Sequence, residues 1–273
     1  MARLFGTLVK QAIMVLMTIS SLYPLYFLLI TSLKTGKEYT ANSTGFPHSI
    51  TFQNFSDALT KVHLGVWFSN TIVLTVVSVF LTTLISALAA YAIAWGKFIG
   101  RQTLLKLCIA LMVVPPVILI IPMFFVMVKV QLINTLTSAI IFYTGLMIPF
   151  SVYLLTSFFR EIPSELFQAA QIDGCSRFGA FWRIVIPLAA PAFVTLVIVN
   201  SLWVWNELLI ALVFLQDESK RTIMAGISMF QGRYNTNQPL IMASSFLSLL
   251  PILLLYLFGQ RFFIRGLTAG IGK

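Results

Sequence analysis

Charge is scarce in this sequence. Only 10% of its 273 residues are Asp, Glu, Lys or Arg, against 59% hydrophobic, whereas a soluble domain carries about 25% charged residues. The shortage, with a mean hydropathy of +0.94, excludes a water-soluble globular fold. Cysteine is nearly absent as well. Cys108 lies in an apolar stretch and Cys175 in a polar loop, so membrane depth separates them and a disulfide is excluded. The histidines, His48 and His63, share one polar loop with no Cys or carboxylate cluster at metal-ligand spacing, which leaves no metal site and gives them an ordinary loop role. No GxxxxGK[ST] occurs, so the chain does not hydrolyse ATP. The apolar stretches contain no His and no nucleophile constellation, which argues against a membrane enzyme and leaves no catalytic residue to name.

What the sequence has in quantity is apolar length. A helix needs about 20 residues to cross a hydrocarbon core of about 30 Å. Stretches of that kind run over 11–33, 68–93, 107–128, 137–158, 191–213 and 239–260. They predict an all-α polytopic membrane protein of six transmembrane helices, both termini on one side. With no internal repeat, Gly/Ser linker or charged tail, residues 1–273 read as one transmembrane domain in contact with the lipid bilayer.

The formal net charge of +10 raises the question of a nucleic-acid partner, but the positions of the cations answer it differently. With the termini cytoplasmic, the inner side carries Arg3, Lys10, Lys97, Arg101, Lys106, Arg160, Arg177, Arg183, Arg261, Arg265 and Lys273. The outer side carries Lys34, Lys37, Lys61, Lys129, Lys220, Arg221 and Arg233. The asymmetry obeys the positive-inside rule, giving a multi-pass cell-membrane protein with both ends inside and no nucleic-acid role. The stretch after Lys10 continues past Pro24 with no small-x-small cleavage site, so it reads as an uncleaved first span.

Local patterns fill in this frame. In the first outer loop, Phe52, Phe55 and Leu59 recur at helical spacing and predict a segment folded back on the membrane surface. Span 2 is rich in Thr82, Thr83, Ser86, Ala87, Ala89 and Ala90, small residues that let helices approach closely in lipid. Span 3 carries Pro115, Pro116 and Pro122, each of which removes a backbone donor. They predict kinks that are either plain packing features or, because freed carbonyls need protein or water, the wall of a pathway.

The loop 159–190 predicts a helical hairpin outside the bilayer. Its first helix spans Pro163 to Asp173, with Pro163 in the first turn and Glu161 and Glu165 near the positive helix end. Glu165, Ala169 and Ile172 share a face, and Asp173-Gly174 stops the helix. Ser176 caps a second helix whose stripe is Phe178, Phe181, Trp182 and Val185, ended by Pro187 and Pro191. Ala169 and Ala170, where bulk would be usual, permit insertion into another protein's groove. Taken alone, the loop also reads as a solvated connection.

The segment ELFQAAQIDGCSRFGAFWRIVIPLAAP resembles the signature cytoplasmic loop of ABC-importer permeases. The family's Glu-Ala-Ala falls on Gln168, Ala169 and Ala170, its glycine on Gly174 and its proline on Pro187. Gln168 departs from the family's Glu, which reduces an ion pair to a neutral hydrogen bond. VPPVILIIPMFFVMVKVQLINTL, WNELLIAL and the terminal FFIRGLTAGIGK resemble the carbohydrate-uptake branch.

The resemblance implies a permease subunit of a sugar importer that forms half of a translocation pathway. Its implied partners are a second homologous permease, two cytoplasmic P-loop ATPases that bind the ATP and Mg, and an extracytoplasmic solute-binding protein. Glu165, Gln168, Ala169, Ala170, Asp173, Gly174 and Pro187 would couple to the ATPase. The short basic tail in 261–273, with Gly270, Gly272 and Lys273, would reach it too.

Pro115, Pro116, Asn206 and Glu207 are candidate gate or pathway residues. Glu207 is the one acidic residue placed within a span; it is either a gate or binding-protein contact, or a carboxylate satisfied near the outer surface. The other function class, a secondary transporter driven by ions, calls for intramembrane ionisable groups and matched broken helices in two halves.

Overall fold

Backbone amides in hydrocarbon find no water, and this chain satisfies them within helices. The computed structural model describes residues 2–233 and 237–269, and among them all regular structure is helical. Among the described residues, four helices are long and apolar enough to cross a membrane, in Gly6–Ser32, Leu64–Trp95, Leu136–Glu161 and Gln238–Leu257; two bent helix pairs raise the number to as many as six. The chain divides into two compact units, Met1–Val66 with Gly226–Leu250, and Trp67–Ala225 with Pro251–Lys273.

In the first unit, α1 (Ala2–Ser32) leads into α2 (Gly36–Ala41), which starts where Thr35 accepts a hydrogen bond from the Glu38 amide at 3.2 Å. The ammonium of Lys34, placed by the sequence in an outer loop, is fully buried. It donates to the carbonyls of Asn42 (2.8 Å) and Ser43 (3.3 Å). Burial strips it of water, and the turning backbone supplies replacement oxygens.

The helix expected at Phe52, Phe55 and Leu59 is α3 (Gln53–Lys61), and its apolar stripe is not the face it packs against the chain. Phe52 and Leu59 are exposed, and the buried positions are Asn54 and Ala58. The reason is the Asn54 amide, which donates to the carbonyls of Ser32 and Lys34 at 2.8 and 2.7 Å and turns its own face inward. Phe55 still finds a partner, meeting Phe246 edge-on at 6.0 Å. Asp57, bonded by Lys61 (3.0 Å) and Gln53 (2.8 Å), has its carboxyl held below the usual range, first by the Lys61 bond.

The second unit holds α4 (Leu64–Trp95) from Trp67 onward, α5 (Arg101–Leu111), α6 (Pro116–Lys129) and α7 (Leu136–Glu161). Four of the six small residues singled out in α4 bury, Thr82, Ser86, Ala87 and Ala90 at 3% exposure or less, and Thr83 and Ala89 are half-buried. Lipid offers no hydrophobic gain between helices, so close backbone approach is the main source of packing energy. The expected break in the third span is present as a 100° bend between α5 and α6. Pro115 is extended and Pro116 opens α6, while Pro122 sits inside α6 without ending it.

After α7 come α8 (Ser164–Ile172), α9 (Arg177–Ala180), a π-helical turn Phe181–Val185, α10 (Ile186–Leu188) and α11 (Ala190–Asn206), with a 74° bend between Arg177–Leu188 and α11. Then follow α12 (Leu209–Phe214), α13 (Ile223–Arg233) and α14 (Gln238–Ala269). The span expected over 191–213 is therefore not continuous: it stops at Asn206 and resumes at Leu209. One apolar core of this unit joins α6, α7 and α12 and includes Phe142 stacked on Phe214 at 5.1 Å; another joins α4, α7, α8 and α11.

Candidate functional site

Two places in the second unit gather the candidate residues. The first is the hairpin of α8 and α9. The predicted helix Pro163 to Asp173 forms as Ser164–Ile172, with Pro163 just ahead of it and its carbonyl accepting from the Leu166 amide at 3.3 Å. Gly174 ends it at φ +76°, a left-handed conformation that a Cβ disfavours. The Cys175 amide then donates to the Ala170 carbonyl at 2.8 Å, closing the C-terminal cap. Across the next turn, Ser176 accepts from the Gly179 amide at 3.0 Å.

Phe167 anchors α8. It is buried, with its ring 3.8 Å from Trp95 and 6.5 Å from Tyr91 between centroids. The Tyr91 hydroxyl donates to the Arg177 carbonyl at 2.7 Å and fixes the start of α9. The opposite face of α8, with Glu165, Gln168, Ala169 and Ile172, is exposed, as are Asp173 and Gly174, and Ala170 is half-buried. Pro187 lies in α10, exposed, and does not join that face.

The expected stripe of α9 is only half right, for Phe181 and Val185 are buried whereas Phe178 and Trp182 are exposed. The π-helical turn, in which each residue advances less around the axis, shifts the register away from i, i+3, i+4, i+7. Gly270, Gly272 and Lys273 lie outside the described residues; the part of the predicted tail from 261 to 269 is helical backbone in α14.

The second place is the interruption between α11 and α12. Glu207 is not inside a helix, as the sequence suggested, but terminates α11 with extended backbone at φ −72°, ψ 130°. Its carboxylate accepts from the amides of Ile210 (2.9 and 3.1 Å) and Ala211 (3.2 Å) and from the Tyr143 hydroxyl (2.8 Å). A charge at the start of α12 thus satisfies two otherwise orphaned donors, and a helix N-terminus favours the negative sign.

Tyr143 is fully buried on α7 and meets Trp203 edge-to-face at 5.8 Å. Asn206 is exposed, its amide nitrogen donating to the Leu202 carbonyl at 2.8 Å. A cavity of about 490 Å³ is lined by Val199, Leu202, Trp203, Asn206 and Glu207. Trp203 and Val199 also line a second cavity of about 580 Å³. Its wall includes Pro116 and Asn200, whose side chain donates to the Ser151 hydroxyl at 3.1 Å.

Pro116 is therefore brought near this region, whereas Pro115 lines neither cavity. Sequence reasoning missed Tyr143, Trp203 and Asn200. A signal for the interruption was present, since Glu ahead of the apolar run LIALVF has the form of a helix start. Among the described residues no group of three or more His, Cys, Asp or Glu side chains is arranged to hold a metal ion.

Comparison with known proteins adds the following. The family described as binding-protein-dependent transport system inner membrane component matches residues 83–269. A putative ABC transporter permease protein of Caldicellulosiruptor sp. is 40% identical over 92% of this chain and 91% of its own length. The sulfoquinovosyl glycerol transport system permease protein SmoH of Agrobacterium fabrum is 38% identical over 93% of this chain and 90% of its own. The fold is that of a chain in the crystal structure of a bacterial ABC transporter involved in import of the acidic polysaccharide alginate. There the TM-score is 0.82 at 24% identity, covering 96% of this chain and 97% of the other.

Proposed function

We propose, for a chain that belongs to the family of binding-protein-dependent transport system inner membrane components, that it is one of two permease subunits of an ATP-driven importer of sugars or other glycosides. It is not an enzyme: ATP and Mg are bound by two separate ATPases, and an extracytoplasmic binding protein delivers the solute. Counting each bent pair as one crossing gives six spans, an even number that supports both termini on one side, and the distribution of Lys and Arg supports the cytoplasm as that side. The glycoside class is supported by a relative of 38% identity named for sulfoquinovosyl glycerol transport. The ion-driven carrier is not favoured, because the relatives are permeases of ABC transporters and of binding-protein-dependent systems.

The observation that carries this reading is the build of α8. A short helix capped at its C-terminus by Gly174, wedged against α4 through Phe167 and bare of bulk at Ala169 and Ala170 suits a lever. An ATPase groove that accepts the exposed face can move it as a rigid body, and α4 and α7 follow through the shared core. Glu165, Asp173 and the Gln168 amide rim that face with acceptors for the ATPase's cations and amides.

Isolation of the chain in mild detergent should recover an ATPase and a second polytopic permease. Ala169→Arg should reduce the recovered ATPase at least about tenfold, the cost of a bulky charge in a packed interface, while the second permease stays. Full ATPase recovery with normal uptake would sink the reading.

A further inference from the structure

The segment that joins the α8 hairpin to the membrane carries an exposed apolar surface. Arg177–Leu188 makes 74° with α11, which begins at Ala190 and, with α12, supplies the apolar length expected over 191–213. A span stands within a few tens of degrees of the bilayer normal, so Arg177–Leu188 lies close to the membrane plane, at the level where the chain enters it. Phe178, Trp182 and Leu188 are 63%, 48% and 52% exposed, and Phe178 meets Trp182 edge-on at 6.2 Å. The π-helical turn Phe181–Val185, with its slower advance around the axis, draws Trp182 back into line with Phe178, while Phe181 and Val185 are held in the core.

Charge frames this surface. Arg177 and Arg183 flank the Phe178–Trp182 pair, each roughly a quarter turn or a little more to one side at 3.6 residues per turn. Both are exposed, and among the described residues neither guanidinium has a hydrogen bond or an ion pair. No acidic residue lies between Arg177 and Leu188, whereas α8 and its cap, from Ser164 to Cys175, carry Glu165 and Asp173 and no cation. The two arms of the hairpin are therefore built for different surfaces. An aromatic pair between two cations suits an anionic leaflet, with the rings at the boundary of headgroups and acyl chains and the guanidinium groups on phosphates.

A second element reaches the same level. The Tyr91 hydroxyl holds the Arg177 carbonyl at 2.7 Å, and one turn further on the chain leaves α4 at Trp95. In the loop that follows, Ile99 is fully exposed, with exposed Lys97 and Phe98 before it. The Arg101 guanidinium closes that loop by donating to the Gly96 carbonyl at 2.8 Å. An apolar tip beside cations repeats the composition of α9.

We infer that Arg177–Leu188, together with the Phe98-Ile99 loop, is seated in the anionic phospholipid surface of the inner leaflet. This seat rests on the permease reading above, which places that side of the chain inward, and it gives α8 a fulcrum: the lever turns against an element fixed in height by lipid headgroups.

The test uses the complete importer in liposomes, with Cys108→Ala and Cys175→Ala in this chain as the parent and a bimane fluorophore on Phe178→Cys. Chain-brominated phosphatidylcholine should quench the bimane, since bromine quenches only at close contact. At equal mole fraction in phosphatidylcholine, brominated phosphatidylglycerol should quench about fivefold more effectively than brominated phosphatidylcholine, the effect of one cation near an anionic headgroup. Arg177→Gln combined with Arg183→Gln should bring the two lipids within about twofold, as should high salt. A bimane on Ile172→Cys, exposed on α8, tests the permease reading separately: its emission should shift to the blue when the ATPase is present, and brominated lipid should leave it unquenched.

A bimane at Phe178→Cys that no brominated lipid quenches overturns the seat, whether the fluorophore stays in water or shifts with the ATPase as a protein contact would. Equal quenching by the two brominated lipids overturns it as well, because the cations would then select nothing. An Ile172→Cys bimane indifferent to the ATPase overturns the permease reading of α8, a result separate from either outcome at Phe178.

Discussion

Two interruptions in the second unit do the same thing to a membrane helix by opposite means. Between α5 and α6 the backbone is denied its bonds, because Pro115 and Pro116 carry no N–H, and the chain bends by 100°. Between α11 and α12 every residue has an N–H, and the break exists because a side chain offers something better: the Glu207 carboxylate takes the Ile210 and Ala211 amides and the Tyr143 hydroxyl. The first break is local and covalent in origin. The second depends on a partner 64 positions away in sequence, so it ties the geometry of one span to another.

The comparison fails most visibly where the carboxylate is removed. Glu207→Ala leaves two amides and a buried phenol without this acceptor and should destabilise the subunit by about 2–3 kcal/mol, the upper part of the range for unsatisfied donors. Thermal unfolding in detergent would report it, with uptake falling in parallel. Glu207→Gln, which keeps an acceptor, should recover much of the loss. Unchanged unfolding in Glu207→Ala would mean that α12 holds itself in place.

Tyr143→Phe sharpens the contrast by removing one bond of the network and keeping the ring against Trp203, so a loss of about 1–1.5 kcal/mol is expected from the same melting experiment. A double-mutant cycle with Glu207→Ala should give strong coupling, and additive losses would deny that the two side chains act together.

The smallest change in stability, under about 1 kcal/mol, belongs to the paired Pro115→Ala and Pro116→Ala substitutions, whose effect is on shape. Spin labels at the two ends of the α5–α6 pair should gain a population stretched from about 25 Å toward about 40 Å, using 1.5 Å per helical residue. An unaltered distance distribution would assign the bend to packing of α5 on α7 rather than to proline.

The same contrast explains what could be read in advance. The bend at Pro115-Pro116, the stop at Gly174 and the Ser176 cap were legible because each is set by a residue's own backbone chemistry or by a neighbour within three positions. Phe178 and Trp182 were misassigned because a π-helical turn changed the period on which the stripe was drawn. The inner face of α3 was not legible, because it is set by Asn54, which bonds carbonyls of Ser32 and Lys34 that no local pattern brings near. Lys34 looked like any loop cation until the backbone of Asn42 and Ser43 closed over it.

The sequence by itself determined that this chain belongs in a membrane, that it is helical, and where α8 begins and ends. Those properties follow from composition and from interactions spanning a turn or two, which are written in adjacent letters. Only the tertiary structure decided that Glu207 meets Tyr143, that Trp203 stands between two cavities and that Phe167 fastens α8 to α4. Each of these joins helices far apart in sequence, and the energy that selects among such pairings, a hydrogen bond or a ring contact out of reach of water, exists only once the helices have met.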